Sequence, residues 1–132
     1  MKYLCLIYDA ESSWDALPKD EMDAIMGEYF TFSNDVHASG HMLSGEALDP
    51  VHTATTVRVR NGKTTTTDGP FAETKEQLGG YYLLDARDLN EAIQIAARIP
   101  TARTGCVDQI LATCSRRLVI VCYDREQIAL CI

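Results

Sequence analysis

Six consecutive apolar residues, Tyr3 to Tyr8, stop abruptly at Asp9, and a second nearly continuous apolar run, Leu78 to Ala86, carries the pair Gly79-Gly80 at its start. Runs this short are strands rather than helices, and strands without polar alternation need cover on both faces. Only two helical patterns occur in the chain. From Pro18 onward Met22, Ile25, Met26, Tyr29, Phe32 and Val36 recur at three- and four-residue steps, giving one apolar stripe, with Pro18 suited to the first turn and Gly40 to the C-terminal cap. The second helix opens at Asp88, an N-cap with Glu91 as its capping-box partner, carries Leu89, Ala92, Ile93 and Ala96, and ends at Pro100. Two helices cover one face of a sheet. Something else must cover the other, and a second copy packed sheet to sheet is the simplest cover, so a homodimer is expected.

Between these elements, Thr53 to Arg60 and Lys63 to Thr67 flank Asn61-Gly62, the pair favoured in a two-residue type I′ hairpin because both positions need positive φ. Cys106 to Leu111 supplies a final strand. The order is β-α-β-β-β-α-β, an α+β class with a split βαβ plan to which one hairpin strand is an addition. With 132 residues, 46% of them hydrophobic, the chain fits one globular domain.

Nineteen acidic against twelve basic residues give a formal net charge of −7, which disfavours nonspecific binding to nucleic acid. No apolar run approaches the ~20 residues of a membrane span, and Asp9, Glu11 and Asp15 stand where a secretory signal needs an apolar core, so a cytoplasmic protein is expected. The five cysteines, Cys5, Cys106, Cys114, Cys122 and Cys131, contain no Cys-x-x-Cys pair, which argues for reduced thiols and against a metal site. No phosphate-binding loop, dinucleotide fingerprint or Gly-x-Ser-x-Gly elbow is present, and no cofactor is expected.

The stretch Asp68-Gly69-Pro70-Phe71-Ala72-Glu73-Thr74-Lys75-Glu76 combines a tight turn with four charges. Gly69 can take positive φ and Pro70 presets its own, so flanking groups are held in place; the loop is either a site or a solvated bend. The string from Asp68 to Glu76, with Gly79-Gly80 behind it, resembles the signature of DGPF-domain proteins, a branch of the YCII-related superfamily. Met1 to Leu4, Leu43 to Leu48, Ala54 to Arg58 and Ala96 to Pro100 are similar to that family too, so that the likeness covers residues 1–108. It implies a ferredoxin-like α+β unit that pairs into a dimeric α/β barrel. It implies activity only weakly, although relatives encoded beside sigma factors suggest an accessory role in transcription control through a sigma-factor-associated protein. Relatives with proposed acid–base chemistry carry a histidine on the first helix paired with an aspartate, and the comparable position here is Tyr29.

Residues 109–132 depart from the family pattern. They hold either an added apolar strand at Leu118 to Cys122 or a poorly packed segment from a shifted reading frame.

Candidate chemistry falls to few groups. Asp68 sits beside the rigid turn as a proton acceptor or ligand contact, or as an Asx-type turn stabiliser. His41, just before Met42-Leu43-Ser44-Gly45-Glu46 at the entrance to a strand, is the second catalytic candidate, its alternative being an exposed loop histidine. With these two, Glu46, Arg58 and Phe71 complete an expected cleft, one per subunit, and Tyr8 and Tyr82 are expected to present hydroxyls into a cleft between subunits, the tyrosines being core residues otherwise and Arg58 a cross-strand ion pair. His37 and His52 are expected in solvent, and Lys75 and Glu76 as a surface pair. The first reading is a dimeric protein binding a small acidic or oxygenated ligand; the second is a cofactor-free lyase or isomerase working by proton transfer; the third is a structural interaction module.

Overall fold

The computed structural model describes residues 1–70 and 72–112. Phe71, the expected strand Leu118 to Cys122 and the cysteines at 114, 122 and 131 lie outside the described residues. The elements run β1 (Lys2–Asp9), α1 (Glu11–Asp15), α2 (Lys19–Ala38), β2 (Met42–Ala47), β3 (Thr55–Arg60), β4 (Lys63–Asp68), β5 (Gln77–Asp85), α3 (Leu89–Ala96) and β6 (Cys106–Ala112), with single 3-10 turns at Val51–Thr53 and Pro100–Arg103.

Four strands form one antiparallel sheet in the order β2-β5-β1-β6, and β3 with β4 forms a separate two-stranded sheet. Setting the hairpin aside, β1-α2-β2-β5-α3-β6 with that strand order is consistent with a ferredoxin-like α+β fold. The strand order expected from sequence needs one correction. Both hairpin strands are additions, and the second strand of the plan is β2, flagged in the sequence only as a strand entered after His41. Its signal is weak for a physical reason. β2 is an edge strand of six residues with mostly exposed side chains, interrupted by Gly45 and by a register shift between Met42 and Ser44.

The hairpin turn is as its residues require, with φ of 52° at Asn61 and 74° at Gly62. Gly40, just past α2, has φ of 75°, the left-handed conformation that ends many helices. At α3 the Asp88 carboxylate accepts the Glu91 N–H at 2.9 Å, but the reciprocal half of the capping box is displaced by one residue: Glu91 accepts from the backbone N–H of Arg87 at 2.7 Å. Glu91 also accepts from the Arg87 guanidinium at 2.8 Å, so it ties down the chain that enters the helix.

The core lies between the sheet and the two longer helices. Cys5 and Ile7 of β1, Tyr82 and Leu84 of β5, Phe32 and Val36 of α2, and Ile95, Ala96 and Ile99 form one buried cluster. The Phe32 and Tyr82 rings meet edge to face, 5.1 Å between centroids. Burying a side chain such as Leu84 or Ile99 contributes about 1.5–3 kcal/mol each. Alternation sends Leu4, Leu6 and Tyr8 of β1 and Tyr81 and Leu83 of β5 to the opposite face, where Leu4 is buried and the others stay partly exposed.

The apolar stripe expected along α2 divides in two. Its C-terminal part supplies Phe32 and Val36 to the core, whereas Met26 remains 53% exposed, and Phe30, beside the stripe, 71%. That division opens the cleft described next.

Candidate functional site

A cleft of about 750 Å³ opens where the middle of α2 faces the β2 end of the sheet. Met26, Tyr29, Phe30 and Ser33 of α2 form one wall, and Ile7, Gly45, Gly79, Gly80 and Tyr82 lie on the sheet side. Glu11 and Trp14 of α1, Leu48, Pro50 and His52 complete it, with Thr101 contributed by the turn after α3. The glycines hollow the sheet beneath the helix. A Cβ at Gly45 would lie 2.5 Å from Cδ1 of Tyr82, and one at Gly80 would lie 2.9 Å from the carbonyl oxygen of Glu46. Side chains at these positions would meet the tyrosine ring and the neighbouring strand.

Polar groups inside the cleft are paired with one another. The hydroxyls of Tyr29 and Thr101 lie 2.6 Å apart, and those of Tyr82 and Ser33 lie 2.9 Å apart. Burial raises the Tyr29 phenol above its ordinary value, against the hydrogen bond to Thr101, with the Tyr82 and Asp9 side chains adding to the rise. Burial raises Tyr82 also, against its bond with Ser33. Both phenols therefore stay neutral at physiological pH, as hydrogen-bonding groups rather than bases.

Asp9 organises the mouth. Its carboxylate accepts from the backbone N–H of Ala10 at 2.9 Å, from the indole N–H of Trp14 at 3.1 Å and from the Thr104 hydroxyl at 3.3 Å. Glu11 accepts the Val51 N–H at 2.7 Å, and its own N–H donates to Gln77 at 3.1 Å. Through these bonds α1 fastens the segment after β2 and the start of β5 around the opening, which gives the polar residues after β1 a structural reason.

The residues singled out in the sequence separate into groups. Tyr82 lines the cleft, whereas Glu46 borders it from β2 with its side chain on the opposite sheet face, in register with Tyr81. Tyr8 sits opposite Leu78 on the other sheet face. Arg58 and Asp68 belong to the separate hairpin, where Asp68 pairs in register with Thr55 and the turn after it is held by a 2.7 Å bond from Gly69 N–H to Ala54 and a 2.9 Å bond from the Thr56 hydroxyl to Gly69. His41 lies outside the cleft lining: its Nδ1 is 2.8 Å from the Ser39 hydroxyl and its Nε2 is 3.8 Å from Glu91. His52, expected in solvent, is exposed and also borders the cleft.

Sequence reasoning passed over Asp9, Trp14, Ser33 and Thr101. One signal was available: Gly79-Gly80 beside Gly45 marks strands stripped of side chains, which is how a sheet makes room. No cluster of three or more metal-ligating side chains occurs among the described residues, and no described helix is long and apolar enough to cross a membrane.

A family model described as YCII-related domain matches residues 1–111. The chain is also similar to uncharacterized protein R00369 of Rhizobium meliloti (strain 1021), 37% identical over 102 residues that span 77% of this chain and 82% of that protein. The matched residues run from β1 into β6 and take in every part of the cleft, so this chain belongs to the YCII-related domain family.

Proposed function

We propose that this chain is a small-ligand-binding protein and that the cleft between α2 and the sheet is its binding site. The observation that carries the reading is the cleft itself: about 750 Å³, walled by Met26, Phe30, Ile7, Leu48 and aromatic side chains, with a few fixed hydroxyls and carboxylates. Sites for small molecules have this character, concave and mainly apolar with a small number of placed polar groups. Of the two chemistries open in the sequence, the neutral phenols favour binding over proton transfer, because groups raised by burial are poor bases at neutral pH.

The working form in this reading is a homodimer packed through the sheet face that α2 and α3 leave uncovered. Leu6, Tyr8, Tyr81 and Leu83 are partly exposed there on adjoining central strands, and an apolar sheet face of this kind is stabilised by a second sheet. The test of the binding reading is a titration with 2-phenylethanol, an apolar ring with one hydroxyl, followed through Trp14. It is the single tryptophan of the chain and lies in the cleft wall.

A further inference from the structure

We propose that the cleft selects ligands that carry a positive charge, an ammonium group on an aromatic or alkyl body, and discriminates against carboxylates and phosphates. This rests on the cleft being a ligand site and departs from the acidic ligand expected from the sequence. Charge carries the argument. Among the described residues, Asp9, Glu11 and Asp15 line the cleft, and no lysine or arginine does so. Asp9 and Glu11 are half-buried, where a charge acts more strongly than one fully in water. Among the described residues that line it, the group able to gain a positive charge is His52, exposed at the border.

Hydrogen-bond inventory points the same way. A carboxylate or phosphate needs donors, yet the Trp14 indole N–H already donates to Asp9, and one of the two hydroxyl hydrogens is committed within each of the pairs Tyr29–Thr101 and Tyr82–Ser33. An ammonium offers donors only, and ionised carboxylates and hydroxyl lone pairs are acceptors. The aromatic wall adds ring faces that attract cations: Trp14, Phe30 and the tyrosines at 29 and 82 border the same space.

The experiment uses three probes of one shape on the full chain: 2-phenylethylamine, 2-phenylethanol and 3-phenylpropionate, titrated by calorimetry near neutral pH. The expected result is binding of the amine about tenfold or more tighter than the carboxylate at about 0.05 M salt, with the ratio shrinking at about 0.5 M salt as screening grows. Asp9→Asn and Glu11→Gln should each narrow the amine-to-carboxylate ratio. The second variant keeps an amide oxygen able to accept from Val51, so a local collapse around Asp9 does not decide the outcome. Saturable binding of the alcohol with the carboxylate as tight as the amine, or tighter, overturns the charge selectivity while leaving the cleft a ligand site. No saturable binding by any of the three overturns both.

Discussion

The hydroxyl of Tyr29 on α2 meets the hydroxyl of Thr101, seventy-two residues further along the chain, at 2.6 Å, and Thr101 is buried. This bond joins the helix that walls the cleft to the turn behind α3. Tyr29→Phe removes it and leaves the buried Thr101 hydroxyl without that partner, so a loss of about 1–3 kcal/mol is expected in urea unfolding. The same substitution has a pH signature. Because burial raises the phenol in the folded state, its contribution is present below the unfolded tyrosine value, about 10, and is lost as pH rises through the folded value. Tyr29→Phe should therefore show a flatter decline of Tm in alkali than the parent protein.

Gly45 tests the hollowing of the sheet. Gly45→Ala places a methyl carbon where 2.5 Å separates it from the Tyr82 ring, so β2 or the ring must move. A cost of about 1–3 kcal/mol in denaturant unfolding is expected from such overpacking, together with weaker probe binding, since Tyr82 borders the cleft. A variant as stable as the parent would show that edge strand β2 yields freely.

Acid should unfold the protein partly through Glu91. The Arg87 backbone N–H, and then its guanidinium, favour the Glu91 carboxylate and hold it below its ordinary range against some desolvation. A carboxylate lowered in the folded state contributes stability that is present above its unfolded value, about 4.3, and is lost as pH falls through the folded value. Glu91→Gln should lower Tm near neutral pH and flatten its fall below about pH 4.

Assembly is checked at Leu83, partly exposed on the sheet face turned away from α2 and α3, in register with Leu4. The parent protein should scatter light with twice the mass of one chain. Leu83→Arg should give a folded monomer by circular dichroism and light scattering, because burying an unpaired charge between sheets is costly. A parent monomer at micromolar concentration would contradict the dimer.

Local chemistry was legible in the sequence wherever one or two residues decide it. Asn61-Gly62 names its turn, Asp88 names the start of α3, and Tyr3 to Tyr8 announces a buried strand. β2 was obscured because an edge strand with a glycine and a shifted register has neither alternation nor a continuous apolar run. α1 was passed over because five residues, Glu11–Asp15, are too few to show a period. The cleft was hidden for a different reason. Tyr29, Thr101, Asp9 and Gly45 come from four distant segments, and only the strand order brings them together, while the conspicuous turn at Asp68 lies on the inserted hairpin. The same stripe on α2 reads as core throughout, and nothing in its period separates Phe32 and Val36, which are buried, from Met26 and Tyr29, which border the cleft.

Trp14 makes the binding reading measurable without a label. Titrating the full chain with 2-phenylethanol should shift or quench its fluorescence along a saturable curve with one site per chain. In Ser33→Leu, which adds bulk to the α2 wall of the cleft, the same titration should give a markedly weaker response. A response that rises linearly without saturation, or one that Ser33→Leu leaves unchanged, would contradict a ligand site between α2 and the sheet.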